Sequence, residues 1–194
     1  MTAASVHCTD LAGDRKIGEL WERKFCAMAG SFGKAFTPHQ IGRTMSAQAA
    51  QKSGREWRLW TLPDVTVWTF PGEHHEIKHK YATRAGLFGL EKYRFDALLW
   101  FADKTQQSVL YTIHDYEQQP DATMTARKRN VTNVRGHWLT CDVLKLKDCI
   151  RFTSKGDSYV NGVAKPVDIH YWHRSSFMPL IEYWMARMPA GSTQ

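Results

Sequence analysis

Three side chains in this sequence have the types and spacing to act together in chemistry: Asp64, Glu76 and Lys78. An Asp followed at a distance by Glu-x-Lys is a weak pattern taken alone, and the chain carries it twice. Asp10 and Glu22-Arg-Lys24 have the same eleven-residue gap as Asp64 and Glu76-Ile-Lys78. Local context separates the two. Glu22 and Lys24 fall in a segment of helical periodicity, where residues two apart point to different sides. Glu76 and Lys78 fall in the alternating run Glu73-His-His-Glu-Ile-Lys-His-Lys-Tyr81, which has the pattern of a strand. In a strand, residues two apart share a face.

The preceding run, Leu62 to Phe70, is β-branched and aromatic, and Pro71-Gly72 supplies turn chemistry between the two runs. Together they predict a β-hairpin. With its turn centred near Phe70, Asp64 falls directly opposite Glu76, and opposed side chains in an antiparallel pair have Cβ atoms roughly 4.5–5.5 Å apart. Two carboxylates so placed repel unless a cation lies between them, and oxygen ligands suit Mg²⁺ or Mn²⁺. Lys78, on the same face, reaches the same point and could hold or deprotonate a water or offset charge on a phosphorane. These are the parts of metal-assisted phosphodiester hydrolysis. Like-charge repulsion in such a site would let Asp64→Asn raise stability in the absence of metal. The competing reading is a surface hairpin whose Glu and Lys pair across solvent.

The elements that must position these residues follow from periodicity. Arg15 to Met28 places Ile17, Leu20, Trp21, the Lys24 stem, Phe25 and Met28 on one side, a helix ended by Gly30 and Gly33. A short helix over Pro38 to Gln51 is capped by Thr37. Phe88 to Lys104 returns to helical spacing, with Leu90, Ala97, Leu98, Trp100 and Phe101 on its apolar side. Ser108 to Asp115 is a strand with an apolar centre, as in the interior of a sheet. Asp121 to Arg135 is polar and basic, with a loop's composition. His137 to Leu146 and Val167 to Trp172 have strand patterns, and Met178 to Met188 reads as a closing helix with Leu180, Ile181, Trp184 and Met185 inside. This order indicates an α/β domain with a mixed central sheet flanked by helices.

Pro63-Asp64 and Glu76-Ile-Lys78, on successive strands between two helices, resemble the PD-(D/E)XK nuclease superfamily, which includes restriction endonucleases, archaeal Holliday-junction resolvases and phage exonucleases. The resemblance covers residues 15 to 116 and includes the strand Val109 to His114, which would complete a restriction-endonuclease-like core. It implies that Asp64 and Glu76 bind a Mg²⁺ or Mn²⁺ cofactor and that Lys78 is the catalytic lysine. It also implies a metal-supporting Glu on the first helix, for which Glu19, after Gly18, is the first choice and Glu22 the rival. The helix after the hairpin would line the cleft, so that Lys92, Tyr93 and Arg94 could touch a phosphate. A homodimer is implied by the resemblance alone.

Several other residues carry weaker signals. Arg55, Arg58, Arg84, Arg127, Lys128 and Arg129 could follow a DNA backbone, though charge runs are more often solvated loops. Trp57 and Trp60, beside two of these arginines, could stack on bases. His74, His75 and His79, with His170 and His173, leave a zinc-dependent protein as an alternative. Cys8, Cys26, Cys141 and Cys149 form no C-x-x-C pair and read as reduced thiols. No G-x-x-x-x-G-K-[ST] loop and no G-x-S-x-G elbow is present.

With 194 residues, 43% of them hydrophobic and 23% charged, the chain predicts one domain with a proper core, residues 15–116 and an elaboration over 117–194. No membrane-length apolar run and no secretory leader is visible, which points to a cytoplasmic protein. The net charge of +7 suits a polyanionic partner, since lysine and arginine on phosphates release counterions. The expectation is a metal-dependent endodeoxyribonuclease acting in restriction, recombination or repair. The alternative of another class is a nuclease-like DNA-binding module without activity.

Overall fold

A computed structural model of the chain describes residues 11–39, 63–68, 72–80, 82–83, 85–116, 136–160 and 163–187, with side chains described from residue 18 of the first helix onward and not for 158–165. Helix α1 (Leu11–Ser31) is followed by strands β1 (Ala35–Pro38), β2 (Val65–Trp68), β3 (Glu73–Lys80) and β4 (Leu87–Glu91). Helix α2 (Lys92–Thr105) leads to β5 (Ser108–Tyr116) and β6 (Gly136–Asp142). Helix α3 (Val143–Asp148), the long pair β7 (Phe152–Val160) and β8 (Val163–His173), the short β9 (Met178–Pro179) and helix α4 (Leu180–Met185) complete the order. The fold is α/β. Its main sheet runs β1-β2-β3-β5-β6-β9, mixed because β3 and β5 are parallel while the other pairings are antiparallel. A second, antiparallel sheet runs β4-β8-β7.

Alternation along β3 and β5 splits the core in two. Leu110 of β5 and Ile77 of β3 face the layer of α1 and α4, with Phe25, Ala29, Leu180 and Trp184. Val109, Tyr111 and Ile113 face the other layer, with Phe95 and Leu98 of α2, Leu146 of α3 and Trp172 of β8. Trp21 stacks on His79 and Phe25 lies against His75, so α1 runs along the odd-numbered face of β3. The even-numbered face, with Glu76, Lys78 and Lys80, is left to α2 and β4. Among the described residues no helix is long and apolar enough to cross a membrane.

Several sequence expectations are corrected. The helix expected from Phe88 begins only at Lys92; Phe88 to Glu91 pair with β8 instead. The helical spacing of that stretch is overridden by a partner strand more than eighty residues away at Phe88, which buries Leu87, Phe88 and Leu90 together. The strand expected over His137 to Leu146 ends at Asp142, whose side chain accepts the Leu144 N–H at 2.8 Å and caps α3. The closing helix is shorter, since Met178 and Pro179 pair with β6, and its buried side is Leu180, Tyr183 and Trp184 while Ile181 and Met185 are exposed. Pro38, expected to open a helix, ends β1, His39 after it is irregular, and residues 40–51 of that helix lie outside the described residues. Strand β7 was not foreseen. Cys26, Cys141 and Cys149 are free thiols.

Candidate active site

Asp64 lies just before β2 and is 5% exposed. Its Oδ2 accepts the Ile77 N–H at 2.8 Å, which ties it to the middle of β3. The β2–β3 register pairs Val65 with His75, so one step further places Asp64 across from Glu76, as the hairpin arithmetic predicts. Glu76 is fully buried, on the strand that β2 and β5 flank, and its side chain meets the partly exposed ends of Lys78 and Arg94.

Two cations meet these carboxylates. Lys78 Nζ donates to Glu76 Oε1 and stands 3.8 Å from Asp64 Oδ2. Arg94, from the first turn of α2, donates from Nε to Glu76 Oε1 at 2.9 Å and from Nη2 to Oε2 at 2.6 Å. The same Nη2 is 3.8 Å from Asp64 Oδ1. Burial works against the Glu76 charge, but Arg94 and Lys78 outweigh it and hold the carboxyl down at about 2. Burial likewise opposes the Lys78 charge, yet Glu76 and Asp64 prevail and raise its pKa. The quartet of Asp64, Glu76, Lys78 and Arg94 is therefore balanced, two negative against two positive. This corrects the expectation that removing a carboxylate would relieve repulsion: the cations already neutralise the pair.

Around the quartet, Tyr111 stands beside Glu76 in the parallel register and donates its hydroxyl to the Gly89 carbonyl at 3.1 Å. Lys80 Nζ donates to that same carbonyl. Burial, with Glu91 and Glu76 nearby, pushes the Tyr111 phenol well above its ordinary range. The site thus sits against the β4–α2 junction, which carries Arg94.

The donor set fits a hard divalent cation. Asp64 and Glu76 offer hard carboxylate oxygens on one face, and one nitrogen, Arg94 Nη2, lies within 4 Å of both. Mg²⁺ is commonly held by one or two carboxylates, with water and substrate phosphate completing its shell.

Asp64, Glu76 and Lys78 come together as the sequence suggests, and Arg94, expected only as a phosphate contact, joins them as a partner of Glu76. Lys92 forms an ion pair with Asp96 at 2.6 Å on the outer side of α2, and Tyr93 is 45% exposed beside it. On α1, Glu22 is buried whereas Glu19 is half-buried. Arg55, Arg58, Arg84, Arg127, Lys128, Arg129, Trp57 and Trp60 lie outside the described residues. The histidines are bound up in separate contacts: His74 with Thr66, His75 with Thr112, His79 with His114, His170 with Thr153 and His173 with Ser175. Among the described residues no three His, Cys, Asp or Glu side chains gather as a metal site.

No family model matches the chain, and no curated protein matches it in sequence. Among solved structures, it is similar to the 1.6 Å structure of Archaeoglobus fulgidus Hjc, a Holliday junction resolvase from an archaeal hyperthermophile. The two share 11% sequence identity over 86% of this chain and 93% of that one, with a TM-score of 0.46.

Proposed function

We propose that this protein is a divalent-metal-dependent endodeoxyribonuclease that hydrolyses DNA phosphodiester bonds, with Asp64, Glu76 and Lys78 at its centre. The observation that carries this reading is the convergence of two buried carboxylates, one just before β2 and one in β3, on a point they share with the Lys78 amine. Asp64 and Glu76 are the residues to hold Mg²⁺ or Mn²⁺. Bound there, the cation would supply Lewis acidity and an activated water. Asp64 is oriented by the Ile77 N–H and Glu76 by its place in the sheet, so neither needs to reorganise. Lys78, kept charged by its two neighbours, offsets negative charge as it builds on the phosphorus oxygens.

A supporting glutamate from α1, Glu19 or its rival Glu22, belongs to the same proposal, but α1 packs on the odd-numbered face of β3, opposite to Glu76 and Lys78, so this packing gives neither of them the role. Lys92, Tyr93 and Arg94 on the first turn of α2, with Arg55, Arg58, Arg127, Lys128 and Arg129, are the candidates to contact DNA, in restriction, recombination or repair. A homodimer, a single nuclease domain over residues 1–194 and a cytoplasmic location belong to the same proposal. The test is incubation of the purified protein with supercoiled, linear, single-stranded and branched DNA in Mg²⁺, Mn²⁺, Ca²⁺ or EDTA. Cleavage in Mg²⁺ or Mn²⁺ that EDTA abolishes supports the reading; no cleavage of any of the four DNAs refutes it.

A further inference from the structure

Arg94 holds the position that matters most for loading such a site. Its guanidinium grips both oxygens of Glu76 and reaches Asp64, so it satisfies the two carboxylates a divalent cation would need. Charge counting makes the conflict concrete. The quartet is neutral, and a dication added to it would leave two surplus positive charges in a site where Glu76 is fully buried. One of the resident cations has to yield. Lys78 sits two residues from Glu76 on the same rigid strand, whereas Arg94 approaches on a long side chain from the first turn of α2, next to the exposed Tyr93. Lys78 and Arg94 both reach solvent, at 29% and 19% exposure, but it is Arg94 that occupies both oxygens of Glu76.

Resting on the nuclease reading, we propose that Arg94 competes with the divalent cation for the Asp64–Glu76 pair and keeps the metal affinity of the free protein low. Arg94 is in this sense an internal counter-ion that closes the metal site, and any ligand that draws its guanidinium away raises the affinity for metal. The identity of the residue matters, because only a guanidinium can present two parallel N–H groups to one carboxylate.

The experiment is Mn²⁺ binding to the full-length protein without DNA, followed by electron paramagnetic resonance, for wild type, Arg94→Gln and Arg94→Lys. Arg94→Gln should bind Mn²⁺ roughly tenfold more tightly than wild type, within the usual span of coupling between two sites. Arg94→Lys, which cannot bridge both oxygens of Glu76, should fall between them. Equal or weaker binding by folded Arg94→Gln, with wild type binding Mn²⁺, overturns the competition and leaves the nuclease site standing. Absence of Mn²⁺ binding in all three folded proteins overturns the metal site and the competition with it. If the variants do not fold, the wild-type protein still decides: Mg²⁺ titration should shift the Arg94 Nε–H resonance, and a resonance unmoved at saturating Mg²⁺ refutes the proposal.

Discussion

Replacing Glu76 with glutamine should destabilise the metal-free protein, although it removes a buried charge. Glu76 accepts from Lys78 Nζ and Arg94 Nε at Oε1 and from Arg94 Nη2 at Oε2. A pair at about 4 Å is worth roughly 4 kcal/mol at an effective dielectric near 20, and breaking a buried pair from one side costs about 3–5 kcal/mol. Three features pull the value to the lower end. Asp64 remains 3.8 Å from both cations, Lys78 and Arg94 are 29% and 19% exposed and can turn outward, and the glutamine carbonyl still accepts one hydrogen bond. The expected loss is about 3 kcal/mol, or about 6–12 °C in Tm for a chain of this size. Thermal and urea unfolding in EDTA measure it. The pH dependence has a definite sign. Because the folded Glu76 pKa is lowered to about 2, its contribution is complete above the ordinary carboxylate range and fades as pH falls towards 2. The gap between wild type and Glu76→Gln should therefore narrow below about pH 4.5. A variant that melts at or above the wild-type temperature at pH 7 would refute the reasoning and restore like-charge repulsion as the dominant effect.

Three further outcomes follow from other parts of the molecule. Burial holds His79 at about 3 and His114 at about 4, both below their ordinary value, so the folded state keeps them neutral. Stability should be full above about pH 6.5 and fall as the unfolded chain takes up protons below it, by about 1–2 kcal/mol per pH unit after screening; an unchanged urea midpoint between pH 7 and 5 contradicts this. At Gly89 a Cβ would meet Ile169 Cγ2 and Tyr171 Cε1 at 2.9 Å, so Gly89→Ala should cost about 1–3 kcal/mol by overpacking beside the site; an unaltered Tm would show that β8 yields freely. DNA affinity measured in Ca²⁺ should decline with a clear negative slope of log K against log salt, and a flat slope would detach the +7 charge from DNA binding.

How much of this was legible beforehand varies with the range of the forces involved. The β2–β3 pair was readable because β-branched alternation, Pro71-Gly72 and the strand period are local, and the opposition of Asp64 and Glu76 follows from counting. Strand β4 was not, because Leu87 to Glu91 become a strand only through β8, at residues 169–173. Strand β7 was hidden for a related reason: Thr153-Ser-Lys-Gly-Asp-Ser158 has no apolar alternation, and pairing with β8 alone makes it a strand. The shift of helix onset from Phe88 to Lys92 re-aims α2, and the contact of Arg94 with Glu76, eighteen residues away, depends on that geometry. A signal did exist, since two buried acids beside one lysine leave a negative charge for another cation to balance. Which of Lys92, Arg94 or Lys80 would supply it could not be read without the fold.

The most direct measurement is DNA cleavage by Lys78→Ala beside wild type and Lys24→Ala, in Mn²⁺ and in EDTA, with circular dichroism to establish that each is folded. Lys24 lies over the Trp21 ring at 4.1 Å on α1 and belongs to the second copy of the Glu-x-Lys pattern, so it serves as the control. Wild type and Lys24→Ala should cleave in Mn²⁺ and not in EDTA, while Lys78→Ala should lose at least about 100-fold in rate, the scale of removing one charge-stabilising donor. Cleavage by Lys78→Ala at the wild-type rate, or wild-type cleavage undiminished in EDTA, would contradict the assignment of Asp64, Glu76 and Lys78 as the active site.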